Sequence, residues 1–412
     1  MTSAPNGAYL EIGARSDESA GFPWHRGVGR AVEMGYSRGV FRRAFHVLAA
    51  TALGGVVAVA VATGACGTFG ADDGVPDGGA DGSSTDAAGA DGASTDAAGE
   101  GSTTDAGCAG RAIYCKTPPC LPEVFASTNG VNGLAVYAGW VYWTSDTTVS
   151  RRPTDGGTID TVASGLSAVG PIAADQGGVF WLARDAGKVF KCPLTGTCPV
   201  PILVATGPAV APNEAIGMAI DSEKVYWPAY GAPEGGVFGA LKTGNGGAVR
   251  FSDEVGEKYI AVDGTKIYWQ TNCAGASSRK KDLTDAIGKL PSTCTSGQGG
   301  LALSKSAVFI GGNQVIRYPI NSGATATLTL TGGTFVSGLA VDCANDVYWT
   351  QPLDGVSSLV RMPESAFVAG SPVDTSTRET LAATPTTVSI VADSSGLYWG
   401  AGSEIRRLRR QP

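Results

Sequence analysis

Five aspartates recur at one place in a repeating pattern. Asp175, Asp221, Asp263, Asp342 and Asp393 each close a short apolar run a few residues before an aromatic strand. Brought together at a channel mouth, such a ring of carboxylates would take Ca²⁺ or Mg²⁺, which prefer oxygen ligands. The plainer reading is turn capping, in which an Asp oxygen accepts backbone N–H groups two or three residues on. Histidine is scarce. The only two, His25 and His46, precede Cys66. Everything after Cys66 therefore lacks the parts of a Ser-His-Asp or Cys-His mechanism and of an HExxH zinc site. It also lacks the commonest general base near neutral pH. The expectation is a protein with no catalytic residue and no resident cofactor, with calcium as the ion to look for if it is an enzyme.

Nine cysteines carry the remaining chemistry. Cys66 follows an apolar run. Cys192 and Cys198 flank a Pro-Leu-Thr-Gly-Thr turn and are expected to pair locally. Cys273 and Cys294 hold related places and are expected to do likewise. Cys108, Cys115, Cys120 and Cys343 then form two bridges, one tying the N-terminal lead to the folded part. Counting does not fix the connectivity. Zinc is the rival reading, disfavoured by irregular spacing and missing His.

The elements that must position these residues repeat. Val141-Tyr142-Trp143, Val179-Phe180-Trp181, Val225-Tyr226-Trp227, Ile267-Tyr268-Trp269, Val308-Phe309-Ile310, Val347-Tyr348-Trp349 and Leu397-Tyr398-Trp399 recur with third positions 38 to 50 residues apart. A period near 40 with several short strands and no long helical periodicity predicts an all-β propeller of four-stranded antiparallel blades. Small apolar runs such as Gly133–Val136 form inner strands. Arg151, Lys191, Arg317 and Arg361 lie on third strands that run into Pro. Thr161–Ser164, Ile202–Ala205 and Glu379–Ala383 are edge strands. The last repeat lacks a fourth strand, while Glu123–Ser127 has no repeat before it. Seven blades are predicted, the last closed by the strand at Val124–Ser127, because closure removes open edges. Six blades is the alternative if the repeat at Phe309 is not one. Arg406, Arg407, Arg409 and Arg410 read as a strand with a solvated basic tail.

The Tyr-Trp strands resemble the YWTD and NHL classes of propeller repeat, with Val347-Tyr348-Trp349-Thr350 and Val141-Tyr142-Trp143-Thr144 the nearest copies. The Asp that follows Thr in the family motif is replaced by Gln351 and Ser145, so no family partner is carried over. The resemblance spans about 124–408. The aromatics read as core packing between blades, with a sugar-stacking or ligand platform as the alternative.

Upstream, residues 1–33 read as a mis-annotated or disordered leader, with Met34 as the alternative start. Residues 34–65 carry Arg38, Arg42 and Arg43 and then a 19-residue apolar run, the order of an export signal. That run is also just long enough for an uncleaved membrane helix. Ala62-Thr63-Gly64-Ala65-Cys66 resembles a bacterial lipobox, which implies lipidation of Cys66 and a membrane anchor. Residues 66–107 form a low-complexity linker with nine acids and no Lys or Arg after Cys66, too polar to fold. A Cys-rich lead-in (108–122) precedes the propeller (123–409). From Cys108 on, 24 acids balance 24 Lys and Arg, which leaves no basic face for nucleic acid. The expectation is an exported, outer-membrane-anchored lipoprotein facing the periplasm or cell surface. It would be monomeric and non-enzymatic, binding a protein or small ligand. A calcium-dependent propeller hydrolase, such as a lactonase, is the alternative.

Overall fold

The computed structural model describes residues 121–410 apart from 211–215, 230–234, 245, 255–257, 272–274, 291–298, 322–323, 331–334, 354–355, 372, 386, 388. The leader, signal, linker and Cys66, Cys108, Cys115, Cys120, Cys273 and Cys294 lie outside these described residues.

Seven four-stranded antiparallel sheets form a propeller. Blades 1 to 6 run in chain order as 133–164, 169–206, 219–250, 260–290, 300–329 and 339–383. Blade 7 takes three strands from 390–409 and its outer strand, Glu123–Ser127, from the other end of the domain. The repeat at Phe309 is a full blade, so the six-bladed alternative is excluded. Among the described residues the only helical turns are two short 3-10 segments in blade 6, Glu364–Ala366 and Thr375–Thr377.

The aromatic dipeptide explains how the blades stack. Successive side chains of a strand point to opposite faces of its sheet, so Tyr and Trp serve different neighbours. Tyr226 packs with Phe251, Ile260 and Trp269 at the interface of blades 3 and 4. Its chain neighbour Trp227 packs with Phe180, Leu182 and Val204 at the interface of blades 2 and 3. The same division holds around the ring, with one apolar cluster per interface. Blade 5 fills the two places with Phe309 and Ile310.

The residue after Trp adds a polar strap. Thr144 Oγ1 donates to Gly170 O of the next blade at 2.7 Å, and Thr350 Oγ1 to Thr387 O at 3.2 Å. Gln270 Nε2 does the same to Gly311 O at 2.6 Å. Buried carbonyls thereby gain the partners they need.

Ring closure is built like the other interfaces. Phe125 is wholly buried, edge-on to Tyr398 with centroids 5.1 Å apart. Arg407 and Arg152 stack on its ring at 5.0 and 5.2 Å. Arg407 Nη2 also pairs with Glu123 at 2.6 Å. Phe125→Ala should therefore destabilise the domain by about 3–5 kcal/mol, as much as Trp349→Ala, although Phe125 sits on a five-residue strand. Urea denaturation of the two variants checks this, and a Phe125 effect under about 1 kcal/mol would show that the seam is not part of the core.

Candidate ligand groove

The five aspartates occupy equivalent turns after the inner strands, and each is already engaged. Asp221 Oδ1 accepts the Glu223 and Lys224 N–H groups at 2.9 and 2.7 Å, and Oδ2 accepts Tyr226 OH at 2.9 Å. Asp263 takes Thr265 and Lys266 N–H, both at 2.7 Å, and Tyr268 OH at 2.7 Å. Asp342 takes Ala344 N–H at 2.9 Å, Asp346 N–H at 2.8 Å and Tyr348 OH at 3.0 Å. At Asp393 the Ser395 hydroxyl stands between the carboxylate and Tyr398. Asp175 caps Gly177 at 2.7 Å, and Phe180 offers it no phenol. The turn-capping reading thus describes all five. Among the described residues no group of three or more His, Cys, Asp and Glu is placed to hold a metal.

Three of these aspartates also hold a cation from the next blade, which the sequence did not suggest. Lys242 joins the Asp175 carboxylate to the carbonyl of Asp221 in its own blade. Arg410 repeats the arrangement, with Nη2 2.9 Å from Asp342 Oδ2 and Nε 3.1 Å from Asp393 O. Lys281 Nζ lies 2.8 Å from Asp221 Oδ2. Each cation stands immediately after a third strand. The solvated basic tail is therefore corrected at two positions. Arg407 and Arg410 are buried because Glu123 at the seam and Asp342 of blade 6 offer them carboxylates.

Burial alone would raise the Asp221 carboxyl, but the Lys281 ammonium and two backbone N–H groups outweigh it and hold it below the ordinary value. Burial pushes the Asp393 carboxyl up, against the opposing pull of Ser395, two backbone N–H groups and the Arg410 charge. Asp346 is also raised, by burial and then by the Asp342 charge, against the opposing pull of Arg361.

Among the described residues the cavity at the axis is small. Leu134, Ile172, Met218, Ile260, Leu301, Leu339 and Ile390 converge there and leave a cavity of about 50 Å³. That is far below the roughly 300–1,000 Å³ of small-molecule sites.

A larger space lies between blades 1 and 2. Trp181 and Phe190, on adjacent strands of blade 2, stack with centroids 6.2 Å apart and line a groove of about 360 Å³. Leu166, Ala183 and Pro201 complete its apolar lining, with Lys188 beside them. On the rim, Ser167 Oγ donates to Asp185 at 3.0 Å. The Cys192–Cys198 disulfide, paired as expected, closes the loop that joins the third and outer strands of blade 2. That loop is pinned to blade 1, where Cys198 N–H donates to Val162 O at 2.8 Å and Arg151 donates to Leu194 O. Cys343 is also disulfide-bonded, to a partner outside the described residues. The groove combines aromatic lining, one cation and hydrogen-bonding rim groups, which suits an apolar group with a polar end. Spacing did not signal it, because Phe190 reads as an ordinary alternating strand residue.

No protein-family model and no curated protein matches the sequence. Among solved structures, the WD40 β-propeller domain of Doa1 aligns with a TM-score of 0.51 at 11% identity, over 71% of this chain and 97% of that one. The extracellular domain of the one component system BT4673 from B. thetaiotaomicron aligns with a TM-score of 0.52 at 13% identity. That match covers 71% of this chain and 40% of the other. At these identities the likeness is one of fold.

Two outcomes follow for the latches. Arg410→Gln should cost about 3–5 kcal/mol by leaving a buried carboxylate without its cation, and adding Asp342→Asn should recover much of it. Denaturation of the single and double variants measures the coupling. Lys281→Met should remove the stabilisation tied to the lowered Asp221 carboxyl. That stabilisation is present above the ordinary carboxylate range and is lost as pH falls through the lowered folded value. The stability gap between wild type and variant, followed by denaturant midpoint against pH, should therefore be widest near neutrality and close in acid.

Proposed function

We propose that this chain is an exported lipoprotein, anchored through Cys66, whose propeller is a non-catalytic scaffold. Its ligand is a small molecule or a protein side chain taken into the groove between blades 1 and 2. The groove is the observation that carries the reading, because it pairs a cavity of about 360 Å³ with an aromatic lining. Half-buried Phe190, Leu166 and Pro201 stand at its mouth over the buried Trp181, the mostly apolar lining typical of ligand sites.

The other chemistry supports a binder over an enzyme. No His follows Cys66, and the recurring carboxylates are consumed by turns, phenols and cations. Export is supported by the basic, then apolar, then small-residue order before Cys66, and by a disulfide of the type that persists in oxidising compartments. Gly67 stands after Cys66 in place of an Asp-type retention signal, which favours the outer membrane, with the propeller facing the periplasm or cell surface.

Saturation-transfer NMR with a panel of small aromatic fragments tests the groove. Fragments should bind wild type and lose most of their signal on Phe190→Ser, whereas equal binding to both would place the site elsewhere. Growth of an expressing bacterium on labelled palmitate tests the anchor, and Cys66→Ser should abolish incorporation. Equilibrium dialysis against calcium separates the hydrolase alternative, which requires one tightly held ion per chain.

A further inference from the structure

The outer strand of a blade is covered on one side only, so its far edge can accept another strand. Most blades here guard that edge with charge. Glu123 in blade 7, Asp160 in blade 1, Arg250 in blade 3, Lys289 in blade 4 and Glu379 in blade 6 are exposed or half-exposed on outer strands. Blade 5 exposes Thr327 and Thr329.

Blade 2 departs from this pattern. Its outer strand, Ile202–Thr206, carries no charge, and neither does the run from Pro199 that leads into it. Val200 is 80% exposed, Ile202 50% and Leu203 47%. The apolar surface continues onto blade 3, where Leu241 and Val249 are exposed and Gly244 lies against Leu203 O.

We propose that this edge joins two copies of the chain, their blade 2 outer strands pairing antiparallel about a two-fold axis into one eight-stranded sheet. The charge pattern selects a second copy over a foreign partner. A two-fold axis sets the same patch against itself, so an edge with a concentrated charge meets its own sign, and like charges directly opposite are destabilising. Among the described residues only blades 2 and 5 have uncharged outer strands, and of these two only blade 2 exposes large apolar side chains that gain by burial. A foreign partner is normally selected by complementary charge, which this edge does not offer.

Pro201 limits the pairing register. It has no N–H to give to a ladder, which confines pairing to residues 202–206, with uncharged residues at both ends. A five-residue strand spans only about 17 Å, so the association is weak, with a dissociation constant of about 1–100 µM.

Sedimentation equilibrium of the purified full chain in density-matched detergent, from about 1 to about 300 µM, spans that range. This test does not depend on the lipid anchor or on the groove. The mass should rise from one chain to two. Leu203→Lys and Leu203→Glu should each weaken association by at least about tenfold through like-charge opposition, with unchanged thermal unfolding. Mixing the two variants in equal amounts should restore the dimer, because the charges are then opposite. Exchange-labelled amides of residues 202–206 should gain protection with concentration in wild type only. A chain that stays monomeric throughout overturns the proposal. So does association that both Leu203 variants retain, or a mixture that fails to re-associate.

Discussion

The structure depends on the two-residue period of a β-strand. A strand cannot send adjacent side chains to the same face. A Tyr-Trp step therefore commits one blade to both neighbours, Tyr forward and Trp back. Each interface core is half built by one repeat and half by the next, so no blade is complete alone. The first interface core has no partner until the last is made. Glu123–Ser127 resolves this by carrying Phe125 to the final blade, where it meets Tyr398.

Polar groups follow the same shared economy. The phenol that the forward-facing Tyr carries into the core needs an acceptor, and the Asp five or six residues before it supplies one in blades 3, 4 and 6. Burying that Asp creates a second demand, which a cation from the next blade meets at Asp221 and Asp342. Where the Tyr is Phe180, the Asp remains and Lys242 still reaches it. The latch is thus tied to the turn and the neighbouring blade more than to the phenol. A buried ion pair adds little net stability against an apolar alternative, but removing either partner is costly.

The aromatic strands, the inner strands and the closure were legible because each depends on residues near one another in sequence. The Val-Tyr-Trp run declares both its period and its burial. An unpaired strand at each end of the repeat array can be counted without coordinates. The outer strands Val249–Arg250, Gly288–Leu290 and Ala326–Thr329 were not legible. They are short and partly or wholly exposed, so tertiary pairing and not propensity makes them strands. The latches were hidden for another reason. Lys242 lies 67 residues from Asp175 and Arg410 68 from Asp342, and a lone cation after a strand looks like a solvated end. The groove was hidden because its lining is assembled from two strands of blade 2, the connector that precedes them and Pro201 before the outer strand.

Blade 2 breaks the local rules that the other blades keep. It carries the Cys192–Cys198 loop and leaves Val200, Ile202 and Leu203 in solvent. The exposed Val200, Ile202 and Leu203 add nothing to the inter-blade cores, which Trp181 and Phe180 fill on either side of blade 2. Exposed apolar side chains on an open edge are an aggregation hazard that natural sheets usually blunt with charge. Residues that break local consistency without serving the fold concentrate where a protein meets something else. The disulfide stiffens the loop that borders both the groove and the edge, and it also ties blade 2 to blade 1, since Cys192 and Cys198 are buried in the core between them and Cys198 N–H donates to Val162 O. The axis, packed with Leu, Ile and Met, serves as the hub on which the blades are held.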